Sequence, residues 1–202
     1  MGSKRDVDFG KKAAGYDDGF EGRASQRFYN LLLREMEPPH EARVLDVGCG
    51  TGAFLAKLAD RSDIIGHGID TEENMIKVAE GKGLPMSFQV ARCDDIPFGD
   101  GSMDIMVACM SYHHFENRDG FAKEAARVLR SGGVLYIADP RFPWPLRKTI
   151  NGILRIFRSV GRFYKAEEIA SNFSGHGFTM TGKAFKGIAQ VVKLRKGPDA
   201  KE

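Results

Sequence analysis

A doubly wound α/β fold, with a mostly parallel sheet, helices on both faces and an antiparallel hairpin at its end, is predicted by three features of this sequence. Extended apolar runs alternate with stretches of helical spacing along most of the chain. The first run, Val44 to Val47, stops at three alternate glycines, Gly48, Gly50 and Gly52, and helical spacing resumes at Ala53, Phe54, Leu55 and Leu58. From Thr179 to Leu194 two extended runs follow each other around Lys186 and Gly187, too close for a helical crossover, so they pair as a hairpin.

In chain order, strands are expected near 43–47, 64–69, 86–91, 103–110 and 133–139, and helices near 23–37, 53–61, 72–81, 117–130 and 165–175. The glycines of V-L-D-V-G-C-G-T-G at 44–52 permit positive φ and let a ligand lie directly on the main chain, where the next helix begins with unpaired N–H groups. Gly48, Cys49, Gly50 and Gly52 are therefore candidate ligand contacts. Gly48, Gly50 and Ala53 also satisfy the spacing of dinucleotide-binding loops, so the pattern alone does not name the ligand. Asp46 separates the readings, because a carboxylate at the strand's carboxyl end repels a pyrophosphate and attracts an ammonium and a sulfonium. Asp70 ends the second strand, 20 residues after Gly50. An ionised carboxylate there accepts both hydroxyl protons of a ribose, so Asp70, with Thr71 beside it, reads as a ribose clamp. Capping the helix that starts near Thr71 is compatible with this role but does not explain the spacing.

With these residues in place the chain resembles the class I S-adenosylmethionine-dependent methyltransferases, in particular the branch that includes quinone-biosynthesis enzymes. V-L-D-V-G-C-G-T-G is similar to the family's glycine loop, and H-G-I-D-T-E-E-N-M at 67–75 to its ribose-binding strand end, with Met75 where the adenine often packs. D-D-I-P-F-G-D-G-S-M-D at 94–104, A-A-R-V-L-R-S-G-G-V-L at 125–135 and F-Y-K-A-E-E-I-A-S-N-F-S-G-H-G-F at 163–178 resemble later segments in the family's order. The resemblance implies a seven-stranded Rossmann-like sheet over a single domain at 1–202 and S-adenosylmethionine as cofactor. It further implies methyl transfer to a small molecule, with S-adenosylhomocysteine as product. One position departs from the family: Arg92 stands where an acid usually accepts the adenine amino group, six residues before Phe98. Asp94 could take that role, or the backbone near Cys93 could hold the ring, with Arg92 stacked on it or facing solvent. F-G-K-K-A-A-G-Y-D-D at 9–18 resembles the family's leading helix over the cofactor, which makes Phe9 and Tyr16 candidate lid contacts.

Two other functions are compatible with such a loop. A nicotinamide-dependent oxidoreductase is disfavoured by Asp46 and by the terminal hairpin, and a non-catalytic S-adenosylmethionine-binding regulator would share the same loop. The net charge of +3 and 42% hydrophobic content suit one domain with a full core. The sequence shows no apolar run of membrane-spanning length and no apolar leader, which predicts a cytoplasmic protein with mobile tails at 1–6 and 197–202. Cys49, Cys93 and Cys109 lack metal-ligand spacing and are expected to be reduced, with no metal site.

The charge is concentrated. Arg141, Arg147, Lys148, Arg155, Arg158, Arg162 and Lys165 fall in a lid-like insertion at 141–165 that contains no acid. A helix over 146–162 would gather Leu146, Ile150, Ile153, Leu154, Phe157 and Val160 on one face and the cations on the flank and opposite face. It could pack on the core with a solvated basic face, border the substrate site and grip an anionic acceptor, or dock on an anionic membrane to reach a lipid-like one. Trp144 and Arg147 are the candidate substrate contacts. The run lacks a nucleic-acid-binding module or an aromatic stacking platform, so nucleic acid is not the expected partner. At the end of the fourth strand, Ser111, Tyr112, His113, His114 and Phe115 face the expected transfer site, and either histidine could act as a base. In an extended segment only one of the two could face it.

Overall fold

Alternating side chains divide the sheet into two apolar faces. Val44, Ile105, Val107, Tyr136 and Ala138 point to one side, while Leu45, Met106, Ala108, Leu135 and Ile137 point to the other. The computed structural model describes residues 13–156 and 161–198. Within them β1 (Ala42–Val47), β2 (Ile64–Asp70), β3 (Ser87–Val90), β4 (Met103–Cys109), β5 (Leu129–Pro140), β6 (Phe178–Lys186) and β7 (Ala189–Lys196) form one seven-stranded sheet. Its order is β3-β2-β1-β4-β5-β7-β6. The pairs among β1 to β5 are parallel, and β7 runs antiparallel to both β5 and β6.

Helices α1 (Phe20–Glu35), α2 (Ala53–Ala59) and α3 (Glu73–Gly81) bury Phe28, Leu32, Phe54, Leu58 and Ile76 on the first face. Helices α4 (Arg118–Val128) and α6 (Ala166–Ser174) cover the second with Phe121, Ala125, Val128, Ile169 and Phe173. The expected doubly wound α/β architecture with its C-terminal hairpin is therefore present. Gly187, at φ +59°, opens the two-residue loop between Lys186 and Ala189. The strand order reverses direction between β1 and β4, so the crevice beyond their carboxyl ends is the place where such sheets bind ligands.

Three local expectations change. Helix α4 stops at Val128 and Leu129 already pairs with Met103, so Ser131-Gly132-Gly133 is a bulge inside β5 rather than a turn before it. Gly197, expected in a mobile tail, is hydrogen-bonded: its N–H donates to Gly177 O at 2.9 Å and its carbonyl accepts from Ser131 Oγ at 3.3 Å. The basic helix, α5 (Trp144–Ile156), buries none of its residues, and Leu146, Ile153 and Ile156 are 50%, 49% and 75% exposed. The 1–6 tail, Phe9, the basic-run residues Phe157, Arg158 and Val160, and 199–202 lie outside the described residues.

Candidate functional site

The glycine loop closes on itself. Gly48, Gly50 and Gly52 have φ of +76°, +52° and +72°, conformations that side chains rarely tolerate. The N–H groups of Gly48 and Cys49 both donate to Ile69 O, at 2.8 and 2.9 Å, and that of Gly52 donates to Cys49 O at 3.0 Å. Gly50 N–H donates to Asp70 Oδ2 at 2.8 Å. Four N–H groups of the loop itself are thus consumed within the fold, and its glycines offer close approach of a ligand to the main chain ahead of the first turn of α2. A Cβ on Gly50 would meet nothing within 4 Å, whereas one on Gly48 would stand 2.5 Å from Ser111 Cβ. The Cys49 thiol turns inward against Gly68.

Asp70 occupies the end of β2 with both oxygens engaged, the second accepting from Glu72 N–H at 2.9 Å. Burial raises its carboxyl above the usual range, and the N–H groups of Glu72, Gly50 and Thr71 pull it back. It braces the loop and the start of α3 together. Each carboxylate oxygen keeps a lone pair for a further donor. Thr71 is exposed beside it, while Met75 is buried in α3 at 3% exposure, outside both main apolar clusters.

Asp46 is 2% exposed, and its Oδ1 has no hydrogen-bond partner. Burial, reinforced by the charge of Asp70, pushes its carboxyl up to about 8. An isolated buried carboxylate oxygen is costly, and a cation or donor placed beside it would remove the cost.

A strap from the N-terminal side lies against this loop. Asp17 accepts from Thr51 Oγ1 at 2.6 Å and pairs with Lys82 at 2.7 Å, tying the segment to the loop and to the end of α3. Tyr16 lies close enough to Asp70 to feel its charge, and burial raises its phenol. The sequence reading singled out Tyr16 and passed over Asp17 and Thr51, whose 34-residue separation leaves no local pattern.

Across the crevice, Arg92 donates to Asp94 from Nε at 2.8 Å and Nη2 at 3.1 Å, and Asn117 Nδ2 adds a third bond at 2.9 Å. These partners hold the Asp94 carboxyl below its usual range, Arg92 most strongly. Arg92 and Asp94, set apart as alternatives in the sequence, form a single pair. Cys93 is half-buried between them, its thiol pushed up to about 12 by burial and Asp94.

Beyond β4, Met110 adopts φ +58°, a strained value for a long side chain, and Ser111 Oγ donates to Val47 O at 2.8 Å. Tyr112–His114 then form a 3-10 turn, not the extended segment expected, which brings the two histidine rings to 4.0 Å. His113 is buried, and its Nδ1 meets Asp139 Oδ1 at 2.8 Å, with Phe163 stacked on the ring at 5.1 Å. Asp139 is 1% exposed and its Oδ2 has no partner. The sequence reading missed it, although it ends β5 much as Asp46 and Asp70 lie at the ends of their strands. His114 keeps an accessible edge, but the protein around it and His113 hold its imidazole down at about 3.

Helix α5 and the segment 161–164 enclose a cleft of about 590 Å³ lined by Trp144, Arg147, Lys148, Asn151, Arg155 and Arg162, with Phe163, Tyr164 and Glu168 completing it. Asn151 grips the Phe163 backbone in both directions, at 2.9 and 3.0 Å, and Arg147 pairs with Glu168. Arg162 N–H donates to His113 O at 2.9 Å, so the cleft adjoins the histidines. Among the described residues, no cluster of three His, Cys, Asp or Glu is placed to hold a metal.

Residues 45–137 match the sequence family described as a methyltransferase domain. The chain is 36% identical over 122 residues to "Methyltransferase GfsG" of Streptomyces halstedii, covering 57% of this chain and 44% of that protein. It is 35% identical over 123 residues to the "Ubiquinone/menaquinone biosynthesis C-methyltransferase UbiE" of Geotalea daltonii, covering 55% and 52%. The chain spans about half the length of these curated relatives. Among solved structures, a chain of the Haloferax volcanii complex between the Trm112 methyltransferase activator and a methyltransferase superposes with a TM-score of 0.83 at 21% identity. That match covers 98% of this chain and 100% of the other.

Proposed function

We propose that this chain, which carries a methyltransferase domain over residues 45–137, moves a methyl group from S-adenosylmethionine to a small molecule. The observation that carries the reading is the buried, unpartnered Asp46 Oδ1 behind a glycine loop in which the N–H groups of Gly48, Cys49, Gly50 and Gly52 are already engaged within the fold. Such a site suits a cationic ligand and offers little to a pyrophosphate, which argues against a nicotinamide cofactor. Asp46 with Gly48, Cys49, Gly50 and Gly52 would hold the amino-acid portion. Asp70 and Thr71 would take the ribose, and Met75 with Cys93 and Asp94 the adenine, under Tyr16.

Bound S-adenosylmethionine supplies a methyl carbon already activated by positive sulfur. The chain's own residues need mainly to align the acceptor and exclude water. Where that acceptor must lose a proton, His113 is the better placed histidine. A carboxylate has only acceptors, so Nδ1 donates to Asp139 and Nε2 keeps the lone pair that can take a proton. His114, held down at about 3, is a weak base. The basic cleft beside them would orient an anionic acceptor, with Trp144 as an aromatic wall.

Isothermal titration should show S-adenosylmethionine and S-adenosylhomocysteine binding and NADH not binding. Because the Asp46 carboxyl stands at about 8, the ligand-free fold carries a proton that an unfolded chain would lose in the usual carboxylate range. That contribution to stability is complete below the usual range and is lost as pH rises through about 8. A cation beside Asp46 favours its ionised form. Binding of S-adenosylmethionine at neutral pH should therefore release about one proton, and affinity should climb with pH up to about 8. Asp46→Asn should abolish the release. NADH binding in place of both adenosyl ligands would overturn the reading.

The acceptor side has its own test. Trp144 is the single tryptophan of the chain, so its emission should change when phenyl phosphate enters the cleft. Arg155→Gln or Arg162→Gln should weaken that response by ~1.5–3 kcal/mol and leave cofactor affinity untouched. An unchanged response in both variants would remove the anionic acceptor from the proposal.

A further inference from the structure

Helix α5 leaves much of its apolar surface outside. Asn151, which bonds the Phe163 backbone, and Arg147, which pairs with Glu168, lean on the body with Ile150 and Leu154 half-buried beside them, while Leu146, Ile153 and Ile156 face solvent. A second exposed apolar element stands at the same end of the sheet. The tip of the β6–β7 hairpin exposes Phe185 by 45% and Ile188 by 40%, and Ile188 O accepts from Arg141 N–H at 2.7 Å where the insertion begins. Arg141 lies over the Phe185 ring at 4.3 Å.

We propose that the outward face of α5 and the β6–β7 hairpin tip together dock this protein on an anionic lipid bilayer. Apolar side chains flanked by cations, without an acid between Arg141 and Ala166, match the composition of helices that lie in a headgroup layer. Lys148, Arg155 and Lys186 are exposed, the first two on the same helix as Leu146, Ile153 and Ile156 and the third next to Phe185. The nearest acids of α6, Glu167 and Glu168, are already paired with Lys183 and Arg147. A second copy is the poorer occupant, because a two-fold contact through this face sets the same cations against each other. The attachment is peripheral, since among the described residues no helix is long and apolar enough to cross a membrane.

Flotation of the full chain with vesicles of phosphatidylcholine plus phosphatidylserine, against phosphatidylcholine alone, tests this. Binding is expected to the anionic vesicles and should be lost at high salt. The double variant Ile153→Glu/Ile156→Glu should reduce the bound fraction at least ~tenfold, as should Ile188→Glu added to it. These side chains are exposed, so the melting temperature and S-adenosylhomocysteine affinity should stay at parental values, which separates this proposal from the cofactor reading. Absent flotation, equal binding to both vesicle types, or binding indifferent to the substitutions would each overturn it. So would a dimer in solution that the double variant disperses, which would assign the face to a second copy.

Discussion

Asp70→Ala is expected to weaken S-adenosylhomocysteine binding by at least ~2 kcal/mol, roughly thirtyfold, in isothermal titration. Two losses combine. The ribose hydroxyls lose a charged acceptor, and Gly50 N–H and Glu72 N–H lose the carboxylate that fixes the loop against the start of α3. The second loss predicts something a ligand contact alone would not: a lower melting temperature without any ligand present. Asp70→Asn should fall between the two, since an amide keeps one acceptor oxygen and no charge. Parental affinity in a folded Asp70→Ala protein would remove Asp70 from the site.

The larger effect on the fold is expected at Gly48. Alanine there must hold φ near +76° and place its Cβ 2.5 Å from the Ser111 Cβ, whose hydroxyl is committed to Val47 O. Left-handed strain of ~1–2 kcal/mol and overpacking of ~1–3 kcal/mol put the cost near ~3 kcal/mol, readable as a lower denaturant midpoint at constant slope. Gly50→Ala is the contrast. It carries the backbone strain but has open space around the new methyl, so stability should fall by only ~1 kcal/mol. Its methyl would occupy the surface on which a ligand must lie, so binding should suffer more than folding. Equal stability losses in the two variants would contradict the packing at Ser111.

Local chemistry made much of this molecule legible. Val44 to Val47 alternate between two buried faces, and the glycines that follow mark a backbone turn that no distant contact is needed to explain. The hairpin around Gly187 is legible for the same reason. What escaped were relations across the chain. Nothing near His113 announces Asp139, although a carboxylate at the end of a fifth strand was a signal of the kind used for Asp46 and Asp70. The clasp between Asp17 and Thr51 joins segments with no shared periodicity. Helix α5 is the clearest case: its two faces can be read from the spacing, but which one turns inward was decided by Asn151 reaching the Phe163 backbone. At the Ser131-Gly132-Gly133 bulge the composition of a turn was absorbed by a strand, because pairing with β4 gave Leu129 a partner before the glycines began.

The place of β7 in the sheet bears on how the molecule is made. Among the described residues it is the last strand in chain order, yet it lies inside the sheet between β5 and β6, hydrogen-bonded on both sides. Until it arrives, β5 presents an unpaired edge and β6 has no strand to join. The first five strands can assemble during synthesis, but the sheet cannot close until residues 189–196 are free to thread into register. A chain in which β7 has not yet paired exposes the β5 edge to neighbouring chains, making the interval before β7 inserts the time of greatest aggregation hazard.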